Sequence, residues 1–151
     1  MTDEANAQAA RDIIDANFYL VLASADASGS PWATPVYFAQ SGYREFVWVS
    51  RPGARHSENL ALRGDVGIVI FDSTVAIGTG QGVYLRAAAA EVVGDDRAPA
   101  LELFSQRSLT HGGRVWTVAD VQPPAQLRLY RATALEHYLL DEHDHRIPVT
   151  P

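Results

Sequence analysis

The sequence contains no cysteine, which excludes disulfide staples, thiolate zinc sites and thiol redox chemistry; any redox activity must come from a bound cofactor. No stretch approaches the length of a membrane span. The opening MTDEANAQAARDIID is acidic and lacks the basic start and apolar run of a signal peptide, so the expected location is the cytoplasm. Net positive charge is missing too: eighteen acidic residues against twelve basic give −6. That is the wrong sign for a protein whose affinity comes from covering nucleic-acid phosphates. Neither a Gly-x-Ser-x-Gly elbow nor a His-Glu-x-x-His pair occurs, which leaves hydrolase and zincin chemistry without support.

What is present fits one packed domain over residues 1–151, with 47% hydrophobic and 20% charged positions. All twelve basic residues are arginine and twenty-three residues are alanine, a bias that matches a GC-rich genome better than a demand of the fold. Along Asp3 to Asn17, Ala9, Ile13 and Ala16, with Ala10 and Ile14 beside them, follow helical spacing behind Thr2 or Asp3 as N-cap. Phe18–Ala25 and Trp32–Ala39 read as a hairpin around Asp26–Ser30. Gln40-Ser41-Gly42 reads as a second turn, leading into a strand over Arg44–Ser50 with apolar residues on both faces. A short helix over Ala54–Arg63 is bounded by Pro52-Gly53 and Gly64. Strands are predicted at Asp65–Asp72 and Gly82–Val93. A helix follows from Asp95 or Asp96 to about Leu109, with Pro99 in its first turn. Thr110–Pro124 reads as loop, and Gln126–Asp141 with Arg146–Val149 as a closing hairpin around Glu142-His143-Asp144. Antiparallel strands, three short helices and no regular βαβ alternation predict a mainly β, α+β molecule built on a closed or partly closed β-barrel.

The most informative stretch is Trp48-Val49-Ser50-Arg51-Pro52-Gly53-Ala54-Arg55-His56-Ser57. A strand end here delivers a hydroxyl and two arginines to the start of a helix, which suits a phosphate: free N–H groups, a bidentate Arg55, and further hydrogen bonds from Ser50 and His56. The competing reading is a solvated loop whose arginines pair with surface carboxylates. Gly78-Thr79-Gly80-Gln81-Gly82 precedes a strand and lacks the spacing of a nucleotide loop, so it reads as a flexible connection. Asp141-Glu142-His143-Asp144-His145 reads as a solvated turn, because a tight hairpin tip cannot aim five ligands inward. His111 and His137 stand alone and read as satisfied structural groups.

The order of elements and these residues resemble the FMN-binding split-barrel family of pyridoxamine 5′-phosphate oxidase. The likeness rests on Tyr19–Ser24 with Gly29–Val36, Phe46–Ser50, Arg55-His56-Ser57-Glu58-Asn59-Leu60, Asp65–Asp72 and the strand ending in Ala90-Glu91-Val92. It implies a split β-barrel homodimer with FMN at the interface and hydride or electron transfer to a small-molecule substrate. Arg55 and His56 would hold the phosphate, and Val49 and Ser50 would line the ring and ribityl chain. Trp32, Ala33, Thr34 and Pro35 would lie beneath the ring, Gln81 or Gly82 would reach the cofactor, and Trp116 would close the pocket from a second subunit. Trp32 and Trp48 have a plainer reading as barrel-core aromatics. The oxidase's C-terminal Arg-x-His pair has no counterpart, since the matching region reads Leu127-Arg128-Leu129-Tyr130-Arg131-Ala132-Thr133. Vitamin B6 oxidation is therefore not implied. Deazaflavin F420 is the rival cofactor, with Arg44, Arg51 and Arg86 as candidates for its acidic tail. A non-catalytic flavin- or haem-binding module is a second class of function, and an empty scaffolding barrel a third.

Overall fold

The structure is a computed structural model that describes residues 2–151. Helix α1 (Asp3–Ala16) begins where Thr2 Oγ1 accepts the Ala5 N–H, and it carries Asp3 and Glu4 at its positive end. It buries Ala7, Ala10 and Ile14. There follow β1 (Tyr19–Ala25), β2 (Pro31–Tyr37), β3 (Ala39–Ser41), β4 (Glu45–Ser50), α2 (Arg55–Leu62), β5 (Asp65–Phe71) and β6 (Gly82–Glu91). After a 3-10 turn at Gly94–Asp96 come α3 (Arg97–Thr110), β7 (Arg128–Leu140) and β8 (Arg146–Pro148).

All strand pairs are antiparallel, in the order β2-β1-β5-β6-β7-β4-β3, with β8 also on β7. The sheet curls into a half-barrel, which with its three helices is the α+β split barrel that the strand pattern predicted. Between Ala87↔Ala134 and Arg86↔Glu136 the register skips Leu135, and this bulge turns Leu135 outward. Inside the curl, Ala10 and Ile14 of α1 join Leu20, Leu22, Phe38, Phe46, Trp48 and Ile70 in one core, with the helix lying against β5 and β6. A second core lies under α3, where Leu101 and Phe104 meet Val47, Val121 and Leu129. Strand β4 separates the two cores: Phe46 and Trp48 face the first, Val47 and Val49 the second. Both its faces are covered, as its unbroken apolar run predicted. No helix among the described residues is long and apolar enough to cross a membrane.

Two local expectations are corrected. Gln40 and Ser41 belong to β3, and the turn falls on Gly42-Tyr43-Arg44, with Gly42 and Tyr43 at φ of 59° and 56°. Tyr43 holds this left-handed conformation because its N–H donates to Gln40 Oε1 at 2.7 Å and its hydroxyl to Asp15 Oδ2 at 2.8 Å. The Thr110–Pro124 segment contains a 3-10 turn at Val118–Val121. There Thr117 and Asp120 cap each other, a Thr-x-x-Asp signal present in the sequence.

Candidate functional site

Strand β4 ends at Ser50 because Pro52 and Gly53 cannot continue it, and the chain reverses through a turn closed by the Ala54 N–H on the Arg51 carbonyl, 3.1 Å. Helix α2 then starts behind Ala54, which has no side chain able to cap it. Its first-turn N–H groups therefore receive no side-chain cap. The Arg55 guanidinium lies over the Trp32 ring, 6.0 Å from its centroid, and Trp32 is 49% exposed. Trp32 is thus a surface aromatic, while Trp48 is the core residue.

Arg51 donates to Gln126 Oε1, and Arg128 to the carbonyls of Ala125 and Leu127. Together with the Pro52-Gly53-Ala54 turn they line an open cleft of about 590 Å³. Among the described residues, Arg51, Arg55 and Arg128 form no ion pair with any carboxylate. Asp26 feels the charge of Arg55 without pairing to it. Among the described residues, the carboxylate partners that the plainer reading gives these arginines are not found.

Behind the cleft the polar groups turn inward. His56 Nε2 and Ser50 Oγ are 2.8 Å apart and both residues are buried, so each satisfies the other rather than standing free as a donor. Asn59 Nδ2 donates to Ser24 Oγ at 3.1 Å. Among the described residues Trp48 Nε1 and Ser57 Oγ are buried without a partner; burial raises the pKa of the neighbouring Tyr130 phenol, and the nearby Ser57 hydroxyl offsets this only in part. Burial lowers the pKa of His56 and keeps it neutral.

The remaining predicted residues are spread out. By strand alternation Thr34 shares the inner face of β2 with Trp32, whereas Pro35 points to the outer face opposite Val21. Val49 packs under α3, and so does Trp116, which meets Phe104 edge-on at 5.4 Å and is covered by Arg114 at 3.7 Å. Gln81 precedes β6, whose other end pairs Glu91 with Tyr130 near Arg128. The length of β6, roughly 30 Å, separates Gln81 from the arginine cleft within one chain. Arg86 sits 3.8 Å from both Asp65 and Glu136 and is neutralised there, and Arg44 lies in the β3–β4 turn. Arg128, Gln126, Asn59 and Ser24 were not foreseen. They reach the site through the β4–β7 register and the packing of α2, for which no local pattern exists.

His111 bonds the Tyr37 hydroxyl at 2.6 Å and stacks on Phe18, and His137 bonds the Tyr43 carbonyl at 2.6 Å. Burial lowers the pKa of both, as it does for His56. The unfolded chain therefore binds protons that the folded chain refuses. Stability is complete above the ordinary histidine range and declines as pH falls through about 6.5. Thermal unfolding should show the midpoint dropping between pH 7 and pH 5.5, and His137→Gln should flatten that slope. A midpoint constant over this interval would contradict the burial of these rings.

A family model for pyridoxamine 5′-phosphate oxidase matches residues 7–141. No curated protein matches the sequence. Among solved structures, a haem-binding protein from Mycobacterium smegmatis superposes with a TM-score of 0.74 at 19% identity, covering 95% of this chain and 57% of that one. The chain thus spans little more than half the length of that protein. HutZ, the haem storage protein of Vibrio cholerae, gives a TM-score of 0.65 at 21% identity over 82% and 86% of the two chains. A Clostridium acetobutylicum protein related to general stress protein 26 of B. subtilis, of the pyridoxinephosphate oxidase family, gives 0.67 at 11% identity over 99% and 96%. Identities this low speak for shared architecture alone. With the antiparallel half-barrel and a family match over nearly the whole chain, the protein belongs to the pyridoxamine 5′-phosphate oxidase family.

Proposed function

We propose that the protein binds FMN, or alternatively F420, with the phosphate at the start of α2, and serves as an oxidoreductase toward a small molecule other than pyridoxamine phosphate. One observation carries this reading: Arg51 and Arg128 line the cleft beside an uncapped helix start, Arg55 is the first residue of that helix, and among the described residues none of the three has a carboxylate partner, in a chain of net charge −6. Uncompensated positive charge beside uncapped N–H groups suits a phosphate dianion. Arg55 and Arg51 would hold the phosphate, and the exposed Trp32 would offer a face to the ring. When bound, such a cofactor supplies hydride or electron transfer, while the chain supplies orientation and exclusion of water. Haem is the second reading, favoured by the two haem-protein neighbours. It is weaker at this cleft because the adjacent imidazole, His56, is buried and held by Ser50. Titration with FMN, F420 and haemin, followed by fluorescence and absorbance, tests this. Saturable binding of FMN or F420 is expected, and binding of haemin alone would overturn the reading. Turnover with NAD(P)H, or with reduced F420 and an acceptor, separates an enzyme from a binder.

The partner in this reading is a second copy. The outer face of β2-β1-β5 carries Ala33, Ala23, Gly67 and Val69, small and apolar side chains bordered by the exposed Asp65 and Arg86. Small-residue faces of this kind suit sheet-on-sheet packing. Sedimentation equilibrium should give a dimer, and Ala23→Arg, at an exposed position in the middle of that face, should shift it to monomer with the fold intact. A monomeric wild type at micromolar concentration would exclude this interface.

A further inference from the structure

At the end of the half-barrel away from Ser50 lies a cavity of about 800 Å³, walled by α1, the Gly78–Gly82 loop, Tyr84 and the β7–β8 turn. Its size is that of small-molecule sites, and its chemistry differs from that of the arginine cleft. Asn6 lines it, is 7% exposed, and makes no side-chain hydrogen bond to any described residue. Buried carboxamides are normally paired, so an unpaired one facing a cavity presents both an acceptor and donors to whatever enters. Gln81 presents a second carboxamide to the cavity, and Tyr84, on the outer face of β6 beside Gly82, stands at its rim. The opposite wall is acidic, from Asp141, Glu142 and Asp144, with His143 as the one basic side chain lining the cavity. The Asp141 carboxylate is held ionised by the N–H groups of His145 and His143, at 2.9 and 2.8 Å. An anion is repelled here. Among the described residues no group of three His, Asp or Glu side chains is arranged to hold a metal ion.

We propose that this cavity is a second binding site, separate from the arginine cleft, for an uncharged nitrogen heterocycle of the free-base or nucleoside class. The Asn6 and Gln81 carboxamides read its amide-like edge, and Tyr84 stacks on its ring. Gln81 thereby takes a role other than the cofactor contact that its position in the sequence suggested.

Calorimetric titration of the full chain with adenosine, uridine and nicotinamide as probes tests this. One-to-one binding of at least one probe is expected. It should weaken about tenfold in Asn6→Leu, the worth of one buried hydrogen bond, and by a smaller but measurable factor in Gln81→Leu, whose carboxamide is exposed. The matching 5′-monophosphate should bind more weakly than the uncharged probe, and Arg55→Ala should leave binding unchanged. Gln81 is exposed, so its substitution reads the site even if Asn6→Leu disturbs α1. No saturable binding of any probe by about 1 mM, binding that survives both substitutions, or binding lost in Arg55→Ala would overturn the proposal. Because Arg55→Ala is the control here, failure of this site is distinguishable from failure of the phosphate cleft.

Discussion

Trp48→Ala should lower the unfolding free energy by about 3–5 kcal/mol, a large share of the 5–15 kcal/mol typical of a domain. Trp48 is fully buried, and its ring stacks on Tyr130 at 6.1 Å and 16° between planes, joining β4 to β7 from inside the curl. Removing it leaves a hole that the surrounding Leu, Phe and Ile side chains cannot fill. The indole N–H is also buried without an acceptor. Trp48→Phe removes that unpaired donor, whose burial costs on the order of 1–3 kcal/mol, so it should cost less than about 2 kcal/mol despite the lost volume. Urea unfolding of the two variants checks the pair. Equal losses would mean that Trp48 Nε1 finds a partner in solution.

Arg55→Ala should weaken FMN binding roughly tenfold to a hundredfold while the melting temperature stays within a degree or two of wild type. The magnitude follows from losing charge-assisted hydrogen bonds of about 1.5–3 kcal/mol. Fold stability is spared because Arg55 makes no ion pair and its side chain lies on the surface of Trp32. Arg55→Lys keeps the charge but loses the planar fork, so it should fall between the two. Raising the salt concentration should erode wild-type affinity more than that of Arg55→Ala. If cofactor content is unchanged in the alanine variant, the phosphate lies elsewhere.

The strands and helices were legible wherever one periodicity ruled. The strands expected at Phe18–Ala25 and Asp65–Asp72 reappear with one buried face each, whereas in α1 the buried residues include Ala10 and Ile14, beside the expected stripe of Ala9, Ile13 and Ala16, whose last member is exposed. The β3–β4 turn was misplaced because Tyr43 adopts a conformation that the rules reserve for glycine, stabilised by Gln40 and by Asp15 on a different element. At the site, Arg55 and His56 were readable from their place at a helix start. Which of them faces outward was not, because the inward turn of His56 depends on Ser50 having ended its strand on the inner face. The separation of Gln81 from the cleft follows from sheet order, and the seat of Trp116 beneath α3 from helix packing. Both are long-range, and neither leaves a trace in the neighbouring residues.

Strand β7 has 13 residues and is paired on both sides, with β6 along one edge and β4 along the other. It is also late in the chain: Ser50 waits for Arg128 to complete its ladder. During synthesis, the apolar face of β4 with Phe46 and Trp48 stays unpaired while the intervening residues are made, roughly 4–16 s at 5–20 residues per second. Contacts so distant in sequence also slow folding once the chain is complete. The strand that holds the two halves of the barrel together is therefore the one whose delay leaves the nascent protein most open to aggregation. Substitutions in β7 should reduce soluble yield in cells more than their effect on equilibrium stability suggests.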